Sequence, residues 1–348
     1  MALIPFQIRF SAPILFLIAI PTICNRIFHF NLLEFIGCAF SVASSSFFIH
    51  RVVLFIYRNW VGVWLSHNID LKSIGSWAVV TGCTAGIGNS YAHALAKRGI
   101  NLVLIARSKE KLFQLETKME ELYPSIKLKT IIVDFTGGME IYKEIEKELE
   151  GLEIGTLINN VGVCYPYPEY FIDLPNRQKF YRDMLNCNIL SVTMMTSLIL
   201  PGMLDRRKGV VVNISSITSK MDAPFLALYS ASKAFVDKFT QDLTLEYKDR
   251  GIIFQDLIPG YVVSNMSKVK APHFFVPTAE AFVEKALNAV GLESRTTGWV
   301  SHQLLYACVH IGHFFRREMA GEISTMGMKQ LWLYGKKVQY HRSRLEKN

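Results

Sequence analysis

Tyr229 and Lys233 stand four residues apart in Tyr229-Ser230-Ala231-Ser232-Lys233. Four residues is about one helical turn, so phenol and ammonium share a helix face. A cation beside a phenol favours the phenolate and lowers its pKa from about 10. Such a phenol can give or take a proton near neutral pH. Spacing alone says little in a chain with 14 Tyr, and Tyr123 and Lys127 repeat it. Pro124 follows that tyrosine and disfavours a continuing helix. Thirteen residues upstream of it stands Glu110, whereas thirteen residues upstream of Tyr229 stands Ser216.

Far upstream, Thr81-Gly82-Cys83-Thr84-Ala85-Gly86-Ile87-Gly88 follows a short apolar run and opens a helical pattern. Gly82, Gly86 and Gly88 let the backbone turn tightly and approach a pyrophosphate at the helix N-terminus, with Thr84 and Ile87 inside the turn. An NAD site usually carries Asp or Glu about 20 residues further on, against the ribose 2′-hydroxyl. Here Arg107 stands 19 residues past Gly88, followed by Ser108 and Lys109. A guanidinium suits a 2′-phosphate, so NADP(H) is the expected cofactor. Asp134 ends a third strand pattern. It is expected beside the adenine or as a cap for the next element.

The elements that must position these residues alternate between Trp77 and Trp299. Strands are predicted over 77–81, 101–106, 127–133, 155–159, 209–214 and 252–257. Helices are predicted over 89–98, from a Ser108 cap to 123, over 176–200 with Pro201 as a stop, and over 228–247. Strands separated by helices of this length mean an α/β fold, a Rossmann-like doubly wound parallel sheet with helices on both faces.

The ordered set TGxxxGIG, Asn159-Asn160-Val161-Gly162, Ser216, YxxxK and Pro259-Gly260 resembles the short-chain dehydrogenase/reductase family over about 75–300. The stretch Val163-Cys164-Tyr165-Pro166-Tyr167-Pro168-Glu169-Tyr170-Phe171 and Arg295-Thr296-Thr297-Gly298, with the apolar N-terminus, are similar to one subgroup. That subgroup is the 17β-hydroxysteroid dehydrogenase and very-long-chain 3-oxoacyl-CoA reductase group. The resemblance implies an enzyme with Tyr229 as proton donor or acceptor. Lys233 would lower its pKa and hold the nicotinamide ribose. Ser216 would polarise the carbonyl, with Ser215 as its adjacent rival. Asn188 would hold a water in a proton relay, while Asn186 faces elsewhere. Asn160 and Gly162 would line the cofactor, Pro259 and Gly260 the nicotinamide face. Ser264, in place of the more usual Thr, would contact the carboxamide and phosphates.

Three functions compete. The first is an NADP(H)-dependent ketoreductase acting on a steroid ketone or a 3-oxoacyl-CoA. The second is a non-catalytic lipid- or partner-binding relative, which has no need of Ser216, Tyr229, Lys233 and Asn188 together. The third is a retinol or sterol dehydrogenase running oxidatively, against which Arg107 weighs. Tyr165, Tyr167, Phe171 and Phe225, with Met266, Phe274 and Phe275, suggest an apolar substrate pocket.

Half the residues are hydrophobic, and the excess gathers at the N-terminus. Residues 11–24 and 35–50 carry no Asp, Glu, Lys or Arg, and apolar character resumes after Arg51. A signal-anchor or membrane hairpin fits this better than a cleaved signal peptide, because no clear small-x-small site follows. Arg9, Arg26, Arg51 and Arg58 bracket both segments, so charge counting sets no orientation. The expected organisation is a membrane anchor at 1–60, a connector at 61–75, the cofactor-binding domain at 76–310 and a basic extension at 311–348. The net charge of +9 comes without a nucleic-acid motif, and much of the excess lies in the tail, which is expected either to meet anionic lipid headgroups or to be merely solvated. Six Cys show neither a metal spacing nor a disulfide framework. The expected location is the endoplasmic reticulum membrane with the catalytic domain in the cytosol. The expected partners are a lipid or steroid substrate, the membrane and a second copy of the chain.

Overall fold

The structure, a computed structural model, describes residues 32–65 and 69–345. The uncharged run at 11–24 lies outside them. The chain divides into two units, 1–61 and 62–348. In the first, helix α1 (Leu32–Ile56) joins the run at 35–50 and the apolar residues after Arg51 into one element. Its 25 residues rise about 37 Å at 1.5 Å each, beyond the ~30 Å hydrocarbon layer of a bilayer. Its hydrophobic side chains point outward, Phe40 at 72 % exposure, and none of its most apolar stretch is buried.

The second unit is built on seven parallel strands: β1 (Trp77–Thr81), β2 (Asn101–Ala106), β3 (Leu128–Ile132), β4 (Ile154–Asn159), β5 (Gly209–Ile214), β6 (Ile252–Leu257) and β7 (Arg295–Thr296). Their order is β3-β2-β1-β4-β5-β6-β7. Side chains alternate between the two faces of a strand, so Ala78 and Val80 enter one core and Val79 the other. Helices α2 (Gly86–Lys97), α3 (Lys109–Leu122) and α8 (Ala279–Asn288) cover the first face with Tyr91, Leu95, Leu112, Met119, Phe282 and Val283. Helices α4 (Ile141–Leu149), α6 (Ser191–Arg206) and α7 (Ala227–Glu246) bring Tyr142, Ile145, Met195, Ile199, Met203 and Leu243 to the second. The strand order reverses at β1, where ligands of open α/β sheets bind beyond the carboxyl ends of the strands.

Two predicted features are corrected. Pro201 does not stop its helix: α6 continues to Arg206 with Pro201 inside. The proline is exposed, as is Ser197, whose carbonyl loses its partner, so water can take the freed group while buried Leu200 and Met203 hold the turn. Nor is 176–200 one regular helix. Helix α5 (Arg177–Leu185) passes into a wide π-turn, Asn186–Leu190, before α6 begins. Arg177–Arg206 is long and apolar enough to cross a membrane, yet half of its most apolar stretch is buried, as in a core helix. Helices α4 and α8 and strand β7 were not legible in the pattern. Neither was α9 (Val300–Leu345), which runs unbroken through residues 310 and 311.

Candidate active site

Four chain segments meet beyond the carboxyl ends of β1, β4, β5 and β6. Helix α7 carries Tyr229 and Lys233 inward, both buried. Lys233 Nζ lies 5.9 Å from the centre of the Tyr229 ring and donates to the Ile214 carbonyl at 2.9 Å. Just past that carbonyl the two serines part. Ser215 Oγ donates to Leu257 O at 3.2 Å, turned toward β6. Ser216 lies close enough to the Tyr229 phenol to favour its ionised form, and its Oγ accepts from the Thr218 N–H at 3.2 Å and hydroxyl at 3.0 Å. The alternative pair fails as its sequence context suggests: α3 ends at Leu122, leaving Tyr123 beyond it.

The electrostatics differ from the expectation in one respect. Lys233 does not bring the Tyr229 pKa below its usual value here. Burial pushes the phenol well above its usual range, and the nearby Ser216 hydroxyl offsets this only in part. Burial likewise lowers the Lys233 amine to about 8, against opposing pulls from Cys187, Cys164 and Asp256. Asp256 is itself buried in β6, and burial raises its carboxyl well above the usual range. Its neighbour Asp237 pairs with Lys220 and, at 2.9 Å, with Arg295. A buried, neutral phenol and a serine hydroxyl make a two-donor site for a carbonyl oxygen.

Asn188 is buried in the wide turn before α6. Its Oδ1 accepts from Val163 N at 2.8 Å, and its Nδ2 donates to Val163 O at 2.9 Å and Ser232 Oγ at 3.0 Å. The amide thus ties the β4 exit to α7 and keeps one oxygen lone pair. Asn186 turns away and donates to Thr136 O at 2.9 Å. Gly162 sits between: a Cβ there would stand 3.4 Å from both Asn188 Oδ1 and Lys233 Nζ.

The glycine turn has the shape of a phosphate cradle. Gly82 and Gly86 adopt φ of 66° and 54°, a region that favours glycine. A Cβ on Gly88 would stand 2.3 Å from Asn160 Nδ2 and 2.4 Å from Gly82 O. Asn160 Nδ2 donates to Thr81 O at 2.9 Å and Gly82 O at 3.1 Å, so it braces the turn from below. Ala85 caps α2 without a side-chain oxygen, which leaves the first N–H groups of the helix for an anion. Thr84 is half-buried, and Ile87 packs against the core. Ser264 comes to this turn from after β6, its Cβ 3.2 Å from where a Gly86 Cβ would be. Arg107 is exposed just past β2. Exposed Asp134 accepts from Thr136 N at 3.0 Å and so closes a turn rather than capping α4. These residues fit a dinucleotide: a Cβ-free cradle for its phosphates, a cation at the ribose end of β2, and Lys233 with two N–H groups beyond the one on Ile214 O.

Sequence reasoning missed His302. It is buried on α9, accepts at Nδ1 from Gly260 N at 3.3 Å and meets Tyr261 O and Phe275 O through Nε2 at 3.1 and 3.0 Å. Pro259 O accepts from Ile217 N at 2.9 Å. The Pro259–Gly260 turn is therefore pinned from both sides. A lone histidine 42 residues away left no local signal. Thr81 was also missed as a bracing residue, although its Oγ1 accepts from Asn160 N and Val161 N at 3.0 Å each.

Sheet order, glycine cradle and buried Tyr–Ser–Lys group together define the class. The family model for short chain dehydrogenase matches residues 76–273, and the chain belongs to the short-chain dehydrogenase family of oxidoreductases. Within it the chain is similar to very-long-chain 3-oxoacyl-CoA reductases. It is 52 % identical over 232 residues to that of Anas platyrhynchos, covering 67 % of this chain and 74 % of that one. To that of Homo sapiens it is 47 % identical over the same shares. Among solved structures, one from work on 7β-hydroxysteroid dehydrogenase stereoselectivity has a TM-score of 0.66 at 20 % identity, covering 74 % of this chain and all of that one. At that identity it shows the fold alone. The bulky-bulky ketone specific alcohol dehydrogenase of Comamonas testosteroni has a TM-score of 0.56 at 26 % identity, covering 70 % of this chain and 96 % of that one.

Proposed function

We propose that this chain is a membrane-attached, NADP(H)-dependent ketoreductase of long-chain 3-oxoacyl-CoA. One observation carries the reaction: the buried Tyr229–Ser216 hydroxyl pair, with Lys233 one helical turn away. The substrate class rests on the relatives named for it.

In this reading Ser216 and Tyr229 donate to the 3-oxo oxygen, and Tyr229 surrenders its proton to the forming alkoxide. Burial keeps the phenol protonated, which is the form a carbonyl reduction consumes. Bound NADPH supplies the hydride. Lys233 holds the ribose and stabilises the phenolate left behind, and Asn188 keeps Val163 and α7 in register. Arg107 takes the 2′-phosphate, the first N–H groups of α2 take the pyrophosphate, and Ser264 closes over it. The exposed apolar surface of α1 supports membrane attachment. Free thiols at Cys83, Cys164 and Cys187 suit the cytosolic face of the endoplasmic reticulum.

The test is the full-length protein in detergent with NADPH or NADH and a panel of 3-oxoacyl-CoAs and 17-ketosteroids. Long-chain 3-oxoacyl-CoA should turn over with NADPH preferred. Tyr229→Phe should lower kcat by about 10²–10⁴-fold while NADPH still binds. Turnover of steroids alone would remove the substrate assignment. NADPH binding without turnover of any ketone would make the chain a binding protein.

A further inference from the structure

Glu169 exposes only 1 % of its surface, although it lies in a loop between β4 and α5. Its Oε1 accepts from Trp332 Nε1 at 2.8 Å and from Tyr170 N at 3.1 Å. Its Oε2 meets Lys336 Nζ at 2.5 Å. Trp332 and Lys336 are four residues apart on α9, so indole and ammonium reach the loop from one helix face. Burial disfavours the carboxylate, but Lys336, Trp332 and the Tyr170 N–H outweigh it, and the Glu169 pKa falls below its usual value. Lys336 shifts upward in return, chiefly through its bond to Glu169.

Around this ion pair the aromatic rings close. Tyr170 meets Phe225 edge-on at 4.9 Å and Trp332 at 5.7 Å, and Phe225 stacks on Trp332 at 6.1 Å. Phe225 has φ of 66°, which a bulky residue adopts only when its surroundings impose it. Here Glu169 N donates to Phe225 O at 2.9 Å. Ser324 of α9 also bonds Asp222 O. Near the end of the helix, Gly335 lets Tyr167 approach, since a Cβ there would stand 2.9 Å from the Tyr167 Cβ.

The two segments held this way are the ones that flank the reacting group. Leu226, next to Phe225, caps α7 three residues before Tyr229. Tyr165 packs against Tyr229 and accepts from Leu228 N at 3.3 Å. Further out the loop exposes Tyr170, Phe171 and Ile172, the last at 66 %. Apolar side chains thus run from the phenol to the clasped loop. On the function proposed above, a long acyl chain laid along them would reach the loop and a short one would not.

We propose that Glu169, Trp332 and Lys336 form a clasp through which the C-terminal helix positions the 165–172 loop and Phe225, and that the clasp sets a preference for long over short 3-oxoacyl chains. The chain-length part rests on the function proposed above, and the clasp does not. These three are positioning residues, remote from the reacting atoms.

The experiment has two arms, both on the full-length protein. In the first, Lys336→Met and Glu169→Gln are assayed with 3-oxopalmitoyl-CoA and acetoacetyl-CoA. KM for the long substrate should rise about tenfold, while kcat, KM for the short one and Kd for NADPH change less than about twofold. Lys336→Arg, which keeps a cation opposite Glu169 and leaves the Trp332 and Tyr170 bonds intact, should retain most of the wild-type preference. Equal effects at both chain lengths, or none, overturn the specificity role. In the second arm, amide hydrogen exchange over 166–174 should quicken about tenfold in Lys336→Met, with β1 unchanged. Unaltered exchange overturns the clasp. If the wild type reduces no acyl-CoA while the exchange responds, the proposed function fails and the clasp stands.

Discussion

Lys233 is an amine buried in the packed interior, and that placement has a measurable consequence. Its amine titrates near 8 in the native chain against 10.5 unfolded. Above 10.5 both states are neutral, and below 8 both are protonated. Between them the unfolded chain binds more protons, so this residue makes native stability rise with pH. Lys233→Met removes the effect. Without cofactor, the variant should be more stable than wild type below pH 8, by at most about 3 kcal/mol. The gap should close as pH approaches 10.5. Urea unfolding across that window checks it, and a gap independent of pH would show that the amine is not desolvated. The same burial leaves the phenol protonated. A rule drawn from sequence spacing alone, that a cation one turn away lowers a tyrosine pKa, is outweighed here by desolvation.

At the scale of elements, tight approach does what side chains cannot. Gly88 lies where the first turn of α2 meets Asn160 and Gly82. A methyl group there has no room, with backbone oxygen at 2.4 Å. Gly88→Ala should lower stability by roughly 1–3 kcal/mol through overpacking and weaken NADPH binding at least about tenfold. Gly327→Ala in α9, where a Cβ meets nothing within 4 Å, is the matched control and should be neutral or slightly stabilising. Thermal unfolding and fluorescence titration read both. If Gly88→Ala binds NADPH normally, the cradle assignment fails. The wide turn at Asn186–Leu190 works in the opposite sense. It inserts an extra residue into the helix, and Asn188 sits within it, its amide on the Val163 backbone.

The whole molecule joins a folded catalytic unit to an apolar N-terminal one. If α1 is an anchor, the full-length chain should float with lipid vesicles. A chain lacking residues 1–60 should remain in the aqueous phase and keep its reductase activity. Vesicle flotation followed by assay of both fractions tests this, and equal flotation of the two would move membrane binding to the second unit. That unit has its own exposed apolar side chains on α9, including Ile323, Met326 and Leu333.

The sequence by itself determined strands β1 to β6, the glycine turn and the Tyr229–Lys233 pair. Each is written in local spacing: apolar runs of strand length, glycines with a helix after them, and two side chains one turn apart. It also separated Ser216 from Ser215 through the spacing to Tyr229, and the structure turns Ser215 toward Leu257 instead. What only the tertiary structure decided depends on partners distant in the chain. Pro201 stays within a helix because its buried neighbours hold the turn and the freed carbonyl faces solvent. His302 pins Gly260 across 42 residues, and Glu169 finds Trp332 across 163. Desolvation, which sets the protonation of Tyr229 and Lys233, is a property of the packed interior that no local spacing encodes.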